Sequence, residues 1–335
     1  MTTTVKPRLV LVHGIGGPRD IEQERREWRL ALAEGARAAG HAEAVSGLTM
    51  DWSVDTAFAH YADLFARGGA QGPGAAELDE ETAELTLAVA ADVIDALLAS
   101  PEHAGDATLL RLREQARPVP LDAAGRPKSP EGVGALGRRA SAVCAKLARA
   151  PGAQRALRRA SAAHCLGVLS QPGRYLRRAE HAPLPDGRTA PLDERIRARV
   201  LDLLDPRRPA IVIAHSLGSV VALEALAAYE GPVALFVTIG SPIAMNALIW
   251  QRLRPSPPAV PATVARWVDF WDGDDPVVPL RRLADLVEPN AAGVRPEPVP
   301  LDSRMLWTHG ATGYLRRREV AAPVVRTLAR LAGES

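Results

Sequence analysis

The chain has 335 residues, 47% hydrophobic and 24% charged, with a formal net charge of +2. That length holds one large α/β domain with an insertion, or two modest domains, and the composition is that of a globular chain. The near-balance of charge excludes a global field that demands nucleic acid as a partner, so none is expected. Met1 to Lys6 lead straight into an apolar run without the basic region, long apolar core and small-residue cleavage site of a secretory signal. No apolar run approaches membrane-spanning length, and a cytoplasmic protein is expected. Cys144 and Cys165 lie in alanine-rich helical sequence, where free buried thiols are expected rather than a disulfide. With no cysteine pair and no close His/Asp cluster of ligand spacing, the sequence predicts no metal site.

In chain order, Arg8-Leu9-Val10-Leu11-Val12 predicts a fully buried strand that runs into His13-Gly14-Ile15-Gly16-Gly17-Pro18. The glycines let the main chain approach a substrate closely. A phosphate-binding loop is disfavoured, because the Lys-Ser/Thr ending is missing and the glycines do not fit the dinucleotide spacing. Ile21 to Ala39 sets apolar and alanine positions (Trp28, Leu30, Leu32, Ala36) against a charged face and predicts a crossover helix. Ala44 to Trp52 is expected to be the next strand. Helical composition then dominates: Glu77 to Ala99, Ala107 to Ala116, and a face formed by Leu136, Ala140, Val143 and Leu147. Further helix is expected over Gln154 to Leu169 and Leu192 to Leu204, with a proline-rich surface loop over Pro118 to Pro130.

The most informative stretch follows. Pro209-Ala210-Ile211-Val212-Ile213 is a β-branched run, Ala214-His215-Ser216-Leu217-Gly218 a turn, and Ser219 to Leu226 a helix in composition. Strand, tight turn and helix in that order are the context of a nucleophile elbow. So sharp a turn holds its serine in a strained conformation and needs small residues two before and two after it, here Ala214 and Gly218. The helix that begins just after Ser216 aims free N–H groups and a positive dipole end at any oxyanion formed there. After it come buried strands over Val233 to Ile239 and Val264 to Trp271, then an acidic loop, Asp272-Gly273-Asp274-Asp275-Pro276-Val277-Val278-Pro279. His309, the sole histidine after the elbow, lies in a loop before the final helical segment.

On these motifs the chain resembles the α/β-hydrolase family, with Ala214 in place of the first glycine of Gly-x-Ser-x-Gly. The resemblance covers residues 8–52 and 192–330 and implies a mostly parallel sheet with flanking helices. Residues 1–54 and 189–335 would form that core, and 55–188 a large inserted helical cap over the serine. The family order of nucleophile, acid and base is met by Ser216, Asp275 and His309, with Asp272 the second choice of acid. The resemblance also implies two backbone oxyanion donors, at Ile15 and Leu217. His13 is read as a brace of the first loop, His215 as a packing residue pointing elsewhere, and Ser241 of Gly240-Ser241-Pro242 as structural.

The implied activity is a serine hydrolase of lipase or esterase type, acting through an acyl-enzyme and needing no cofactor. Gly240-Ser241-Pro242 and the large insertion point to a carboxylic ester with an apolar portion, either a small molecule or a lipid. A thioesterase or amidase would use the same apparatus, and a non-catalytic binding protein is the alternative of another class. Between Gly137 and Arg178 the chain carries Arg138, Arg139, Lys146, Arg149, Arg155, Arg158, Arg159, Arg174, Arg177 and Arg178 and no acidic residue. Such basic amphipathic helices suit peripheral contact with an anionic membrane or the steering of an acidic substrate; the other reading is a solvated helix face.

Overall fold

Parallel strands form the centre of the molecule, and helices cover both of their faces. The computed structural model describes residues 6–16, 20–50, 54–65, 80–99, 103–117, 134–150, 169–184, 186–245, 250–273, 275, 277–278, 283–302 and 309–333. Within these lie strands β1 (Arg8–Val12), β2 (Asp55–Ala59), β3 (His181–Pro183), β4 (Thr189–Pro191), β5 (Ala210–His215), β6 (Val233–Ile239), β7 (Trp267–Asp272) and β8 (Pro296–Leu301). The helices are α1 (Ile21–Ala38), α2 (Ala44–Thr49), α3 (Glu80–Ala99), α4 (Ala107–Gln115), α5 (Ala135–Leu147), α6 (Gln171–Arg177), α7 (Leu192–Leu201), α8 (Leu217–Leu226), α9 (Ala311–Leu315) and α10 (Arg318–Gly333).

The main sheet has six strands in the order β2-β1-β5-β6-β7-β8, every pair parallel, while β3 and β4 form a separate antiparallel hairpin. Successive side chains leave opposite faces of a strand. Leu9, Leu11, Ile211, Ile213, Val237, Val268 and Phe270 therefore meet one helical layer, built on Trp28 and Leu32 of α1 and Val320 and Val324 of α10. Val10, Val12, Val212, Ala214, Phe236 and Trp267 meet the other, which holds α8 and the helices of the insertion. Burial on both faces explains why the central strands read as continuous apolar runs. On α1, Leu30 falls off the buried stripe of Trp28, Leu32 and Ala36 and is exposed.

The chain leaves β1 toward β2 on one side, and later re-enters the sheet as β5 on the other side of β1. Loops at the carboxyl ends of β1 and β5 thus diverge, leaving the crevice at which open parallel sheets bind ligands. At the far edge, Pro296, Pro298 and Pro300 alternate along β8. Prolines cannot donate to the ladder, so they belong on the open side, where they blunt the edge against strand addition.

Two expectations are corrected. Ala44–Thr49 is the helix α2, not a strand: Val45 and Leu48 are three apart and pack against the α1 cluster. The Arg29 guanidinium caps it by donating to the carbonyls of Leu48 and Thr49. The strand beside β1 is instead Asp55–Ala59, so the sheet takes in the first residues of the stretch expected to be insertion.

Within that stretch, α3 packs against α4, α5 and α6, and Leu136, Ala140, Val143 and Leu147 are all buried, as their spacing predicts. The proline-rich segment 118–130 and the helix expected over 154–169, apart from Leu169, lie outside the described residues, as do Cys165, Arg155, Arg158 and Arg159. Cys144 is buried and is not part of a disulfide. Part of the basic run turns inward. Arg174 pairs with Glu180 at 2.6 Å, and Arg178 reaches Asp193 at 3.1 Å and Glu224 at 2.7 Å. Glu224 is buried on α8, where it also accepts from the Tyr175 hydroxyl at 2.7 Å. A buried ionic network thereby ties the end of the insertion to the helix that follows Ser216.

Candidate active site

β5 ends at His215, and the chain turns into α8 at Ser216, whose φ of 53° and ψ of −131° no ordinary residue adopts without strain. The surroundings hold it there. The Ser216 N–H donates to Ile239 O at 3.2 Å on the neighbouring strand. A relay runs from the Ile243 N–H to the Ser241 hydroxyl (3.3 Å), on to Ser219 Oγ (2.8 Å), and from the Ser219 hydroxyl to Ser216 O (2.6 Å). Ser241 is thus a support of the turn. A Cβ at Gly218 would lie 2.3 Å from His13 O and 2.6 Å from Val12 O, so only glycine lets α8 start this close to β1.

Side chains from three loops meet here. His309 Nε2 lies 2.9 Å from Ser216 Oγ, and its Nδ1 lies 2.9 Å from Asp275 Oδ2. A carboxylate can only accept, so Nδ1 carries the proton and Nε2 offers its lone pair to the serine hydroxyl. Asp275 Oδ1 accepts the Val277 N–H at 2.9 Å, and Oδ2 also accepts the Tyr314 hydroxyl at 2.7 Å. Burial works against ionising Asp275, but the His309, Tyr314 and Val277 donors together hold its carboxyl below the usual carboxylate range. Burial and the same carboxylate push the Tyr314 phenol well up, so it stays a donor. Asp272 closes β7, and its main-chain carbonyl accepts the Asp275 N–H at 3.1 Å. Gly240, at φ 56°, packs against this pair; a Cβ there would lie 2.9 Å from Asp275 Oδ2 and 3.2 Å from His309 Nδ1.

The loop after β1 is fixed from two directions. His13 is buried and stacks on Tyr61 with ring centroids 4.1 Å apart; its Nδ1–H donates to Gly14 O at 2.6 Å and its Nε2 accepts the Tyr61 N–H at 3.3 Å. Gln171 of α6 grips the Gly16 backbone twice, accepting its N–H at 3.0 Å and donating to its carbonyl at 2.8 Å. Between these anchors stands Ile15. Leu217 opens α8, where a backbone N–H has no intrahelical acceptor. Ile15 and Leu217 both border a cavity of about 410 Å³ with Ser216 and His309. Its wall is mostly apolar and includes Val89, Val93, Leu147, Leu169 and Leu176 from the insertion.

The structure therefore brings Ser216, Asp275 and His309 together and places Ile15 and Leu217 beside them. His215 does not point away from this group. Its Nε2–H donates to the His309 carbonyl at 2.7 Å, and the two rings lie 4.7 Å apart. Tyr314 and Gln171 escaped the sequence reading. Each meets a partner far away in the chain, and neither carries a local signal of that contact. Among the described residues no group of His, Cys, Asp and Glu could hold a metal ion.

A six-stranded parallel sheet covered on both faces, with a strained serine at a strand-to-helix turn, defines the α/β-hydrolase fold. A family model for that fold matches residues 159–288, a stretch that includes both Ser216 and Asp275. The chain accordingly has the α/β-hydrolase fold, and its matched stretch is similar to the family of hydrolases that shares it. No curated protein matches it. No helix among the described residues is long and apolar enough to cross a membrane.

Proposed function

We propose that the protein is a serine hydrolase of carboxylic esters with an apolar acyl part, working through an acyl-enzyme. The observation that carries this reading is the hydrogen-bonded series Ser216, His309 and Asp275, at 2.9 Å per step, on the wall of an apolar cavity. His309 Nε2 removes the Ser216 proton as Oγ attacks the ester carbonyl; Asp275 fixes the ring tautomer and stabilises the imidazolium. The N–H groups of Ile15 and Leu217 hold the oxyanion, each worth about 3 to 4 kcal/mol in sites of this kind. His309 then protonates the leaving oxygen, and a water deprotonated by the same nitrogen releases the acid and restores Ser216. These steps use only the chain's own groups and water.

The insertion acts in this proposal as a cap that supplies the apolar wall for the acyl chain. Inward pairing of Arg174 and Arg178 removes two cations from any outward basic face, which favours a dissolved ester over one in an anionic membrane. The compartment we propose is the cytoplasm.

A fluorophosphonate probe is expected to label the native chain, and Ser216→Ala to lose both the label and p-nitrophenyl ester turnover while its circular dichroism is unchanged. Labelling that survives in Ser216→Ala would place the nucleophile elsewhere. A native chain that neither labels nor hydrolyses an ester would leave a binding protein on a hydrolase fold.

A further inference from the structure

His215 closes β5, and the alternation of the strand fixes where its side chain goes. Ala214 faces the layer that holds α8, so His215, like Ile213, faces the layer of α1 and α10. There its ring meets Trp28 of α1 edge-on, with centroids 6.2 Å apart, and lies 4.7 Å from the ring of His309. His309 reaches the site from that same layer. The Gly310 carbonyl just after it accepts the Gly313 N–H at 2.9 Å and opens α9, which packs on α1.

His309 is held at two levels. At the ring, Asp275 accepts from Nδ1 and fixes the tautomer. At the main chain, the His309 carbonyl accepts the His215 Nε2–H at 2.7 Å, and no other hydrogen bond reaches the His309 main chain from a described residue. A nitrogen that donates there has no lone pair for the serine proton, so the contact is a support and not a second base. It closes a circuit of three links: Ser216 Oγ to His309 Nε2, His309 O to His215 Nε2, and the peptide bond from His215 back to Ser216. Nucleophile and base come from distant parts of the chain, yet one side chain and one covalent bond set their spacing.

We propose that His215 is a positioning residue, whose Nε2–H holds the His309 main chain at the height from which the His309 ring reaches Ser216 Oγ. The proposal rests on the reading of Ser216, His309 and Asp275 as an acyl-transfer centre. Proton transfer needs heavy atoms within about 2.6 to 3.2 Å, and a misplacement of about 1 Å can cost 10²-fold. Without the donor, His309 is tethered to described residues by the hydrogen bonds of its ring alone, and both of these loosen. The substrate's apolar contacts are untouched, so the loss falls on kcat and not on KM. His215 also borders the cavity, and a side chain that served only as wall would act on KM instead.

Two substitutions separate the donor from the ring. His215→Gln loses the ring but sets an amide N–H about where Nε2 stood, while His215→Phe keeps a ring against Trp28 and loses the donor. Position 215 is extended strand, which either residue adopts. On a p-nitrophenyl ester, His215→Phe is expected to lose roughly tenfold to a hundredfold in kcat with KM little changed, and His215→Gln to stay within about fivefold of native. If His215→Phe does not fold, His215→Asn, too short to place a donor there, takes its part. A readout free of turnover is the downfield proton resonance of the His309 Nδ1–H bonded to Asp275, which should persist in His215→Gln and broaden in His215→Phe. Equal kcat in the two variants, a larger loss in His215→Gln, a change confined to KM, or a resonance indifferent to the donor overturns the inference. A resonance that follows the donor in a chain that hydrolyses no ester upholds it and overturns the proposed acyl transfer instead.

Discussion

The Tyr314 hydroxyl donates at 2.7 Å to Asp275 Oδ2, the oxygen that also receives His309 Nδ1. Two donors share one lone-pair region, so the phenol draws negative charge away from the imidazole. In Tyr314→Phe the Asp275 carboxylate loses one of the donors that fix it and hold it below the usual carboxylate range, so it orients His309 less firmly and kcat/KM should fall by roughly threefold to tenfold. Loss of one buried hydrogen bond should lower stability by about 1 kcal/mol. A variant that loses stability but hydrolyses esters with native kcat/KM would reduce Tyr314 to a packing residue.

Asp275 and Asp272 are three residues apart and both buried, but their carboxylates should differ greatly in consequence. Asp275→Asn places an amide against Nδ1. The amide can donate there and select the tautomer with its proton on Nε2, which cannot take one from Ser216. A loss on the order of 10⁴ in kcat is expected, as for the buried aspartate of serine proteases. Asp272 supports Asp275 through its main-chain carbonyl, which Asp272→Asn retains. Turnover within about tenfold of native is expected there. Single-turnover rates on a p-nitrophenyl ester decide the matter, and the reverse order would move the triad acid to Asp272.

Much of this arrangement is legible in one dimension because it depends on runs and order. β1 and β6 are continuous apolar runs, since both faces of the sheet are covered. Ala214-His215-Ser216-Leu217-Gly218 announces its own strain through its small residues. The misread strand at Ala44–Thr49 shows the limit of that signal: a six-residue run with two large apolar residues has no period to separate helix from strand, and the burial supplied by α1 decided for helix. Contacts made across the chain leave no local trace. Tyr314 meets a carboxylate 39 residues away, and Gln171 grips a backbone 155 residues away.

That grip leads to a further expectation. Gln171 makes two hydrogen bonds to the Gly16 backbone, one residue after Ile15, so a helix of the insertion sets the position of a proposed oxyanion donor. Gln171→Leu keeps the apolar bulk and removes both bonds. Losing an oxyanion donor outright costs about 10² to 10³ in kcat; loosening one is expected to cost roughly tenfold, with KM little changed. Affinity for a trifluoromethyl ketone, which mimics the tetrahedral adduct, should fall by a similar factor. A variant with weakened substrate binding but native kcat would assign Gln171 to the wall of the pocket alone.

Asp269 offers a test of the fold that is independent of the chemistry. It lies on β7 opposite Thr238 of β6, whose hydroxyl donates to it at 2.6 Å and accepts the Trp267 indole N–H at 3.0 Å. Burial pushes its pKa up to about 7, with the Thr238 bond acting the other way. An unfolded aspartate ionises near about 3.9. Between those values the native chain keeps a proton that the unfolded chain has shed, so this residue's contribution to stability declines as pH rises from about 4 to about 7 and stays low above that. The width of that pH window sets the scale at about 4 kcal/mol as an upper bound. Asp269→Asn cannot ionise and still accepts from Thr238 through Oδ1, though its buried NH₂ costs about 1 to 3 kcal/mol if it finds no partner. The difference between the two chains is therefore informative through its slope. Urea midpoints should show the variant gaining on the native chain by about 2 to 4 kcal/mol between pH 4 and pH 8. Titrations common to both chains, including that of Asp275, cancel in that difference. Parallel curves for the two chains would mean that Asp269 ionises in the folded sheet as freely as in water.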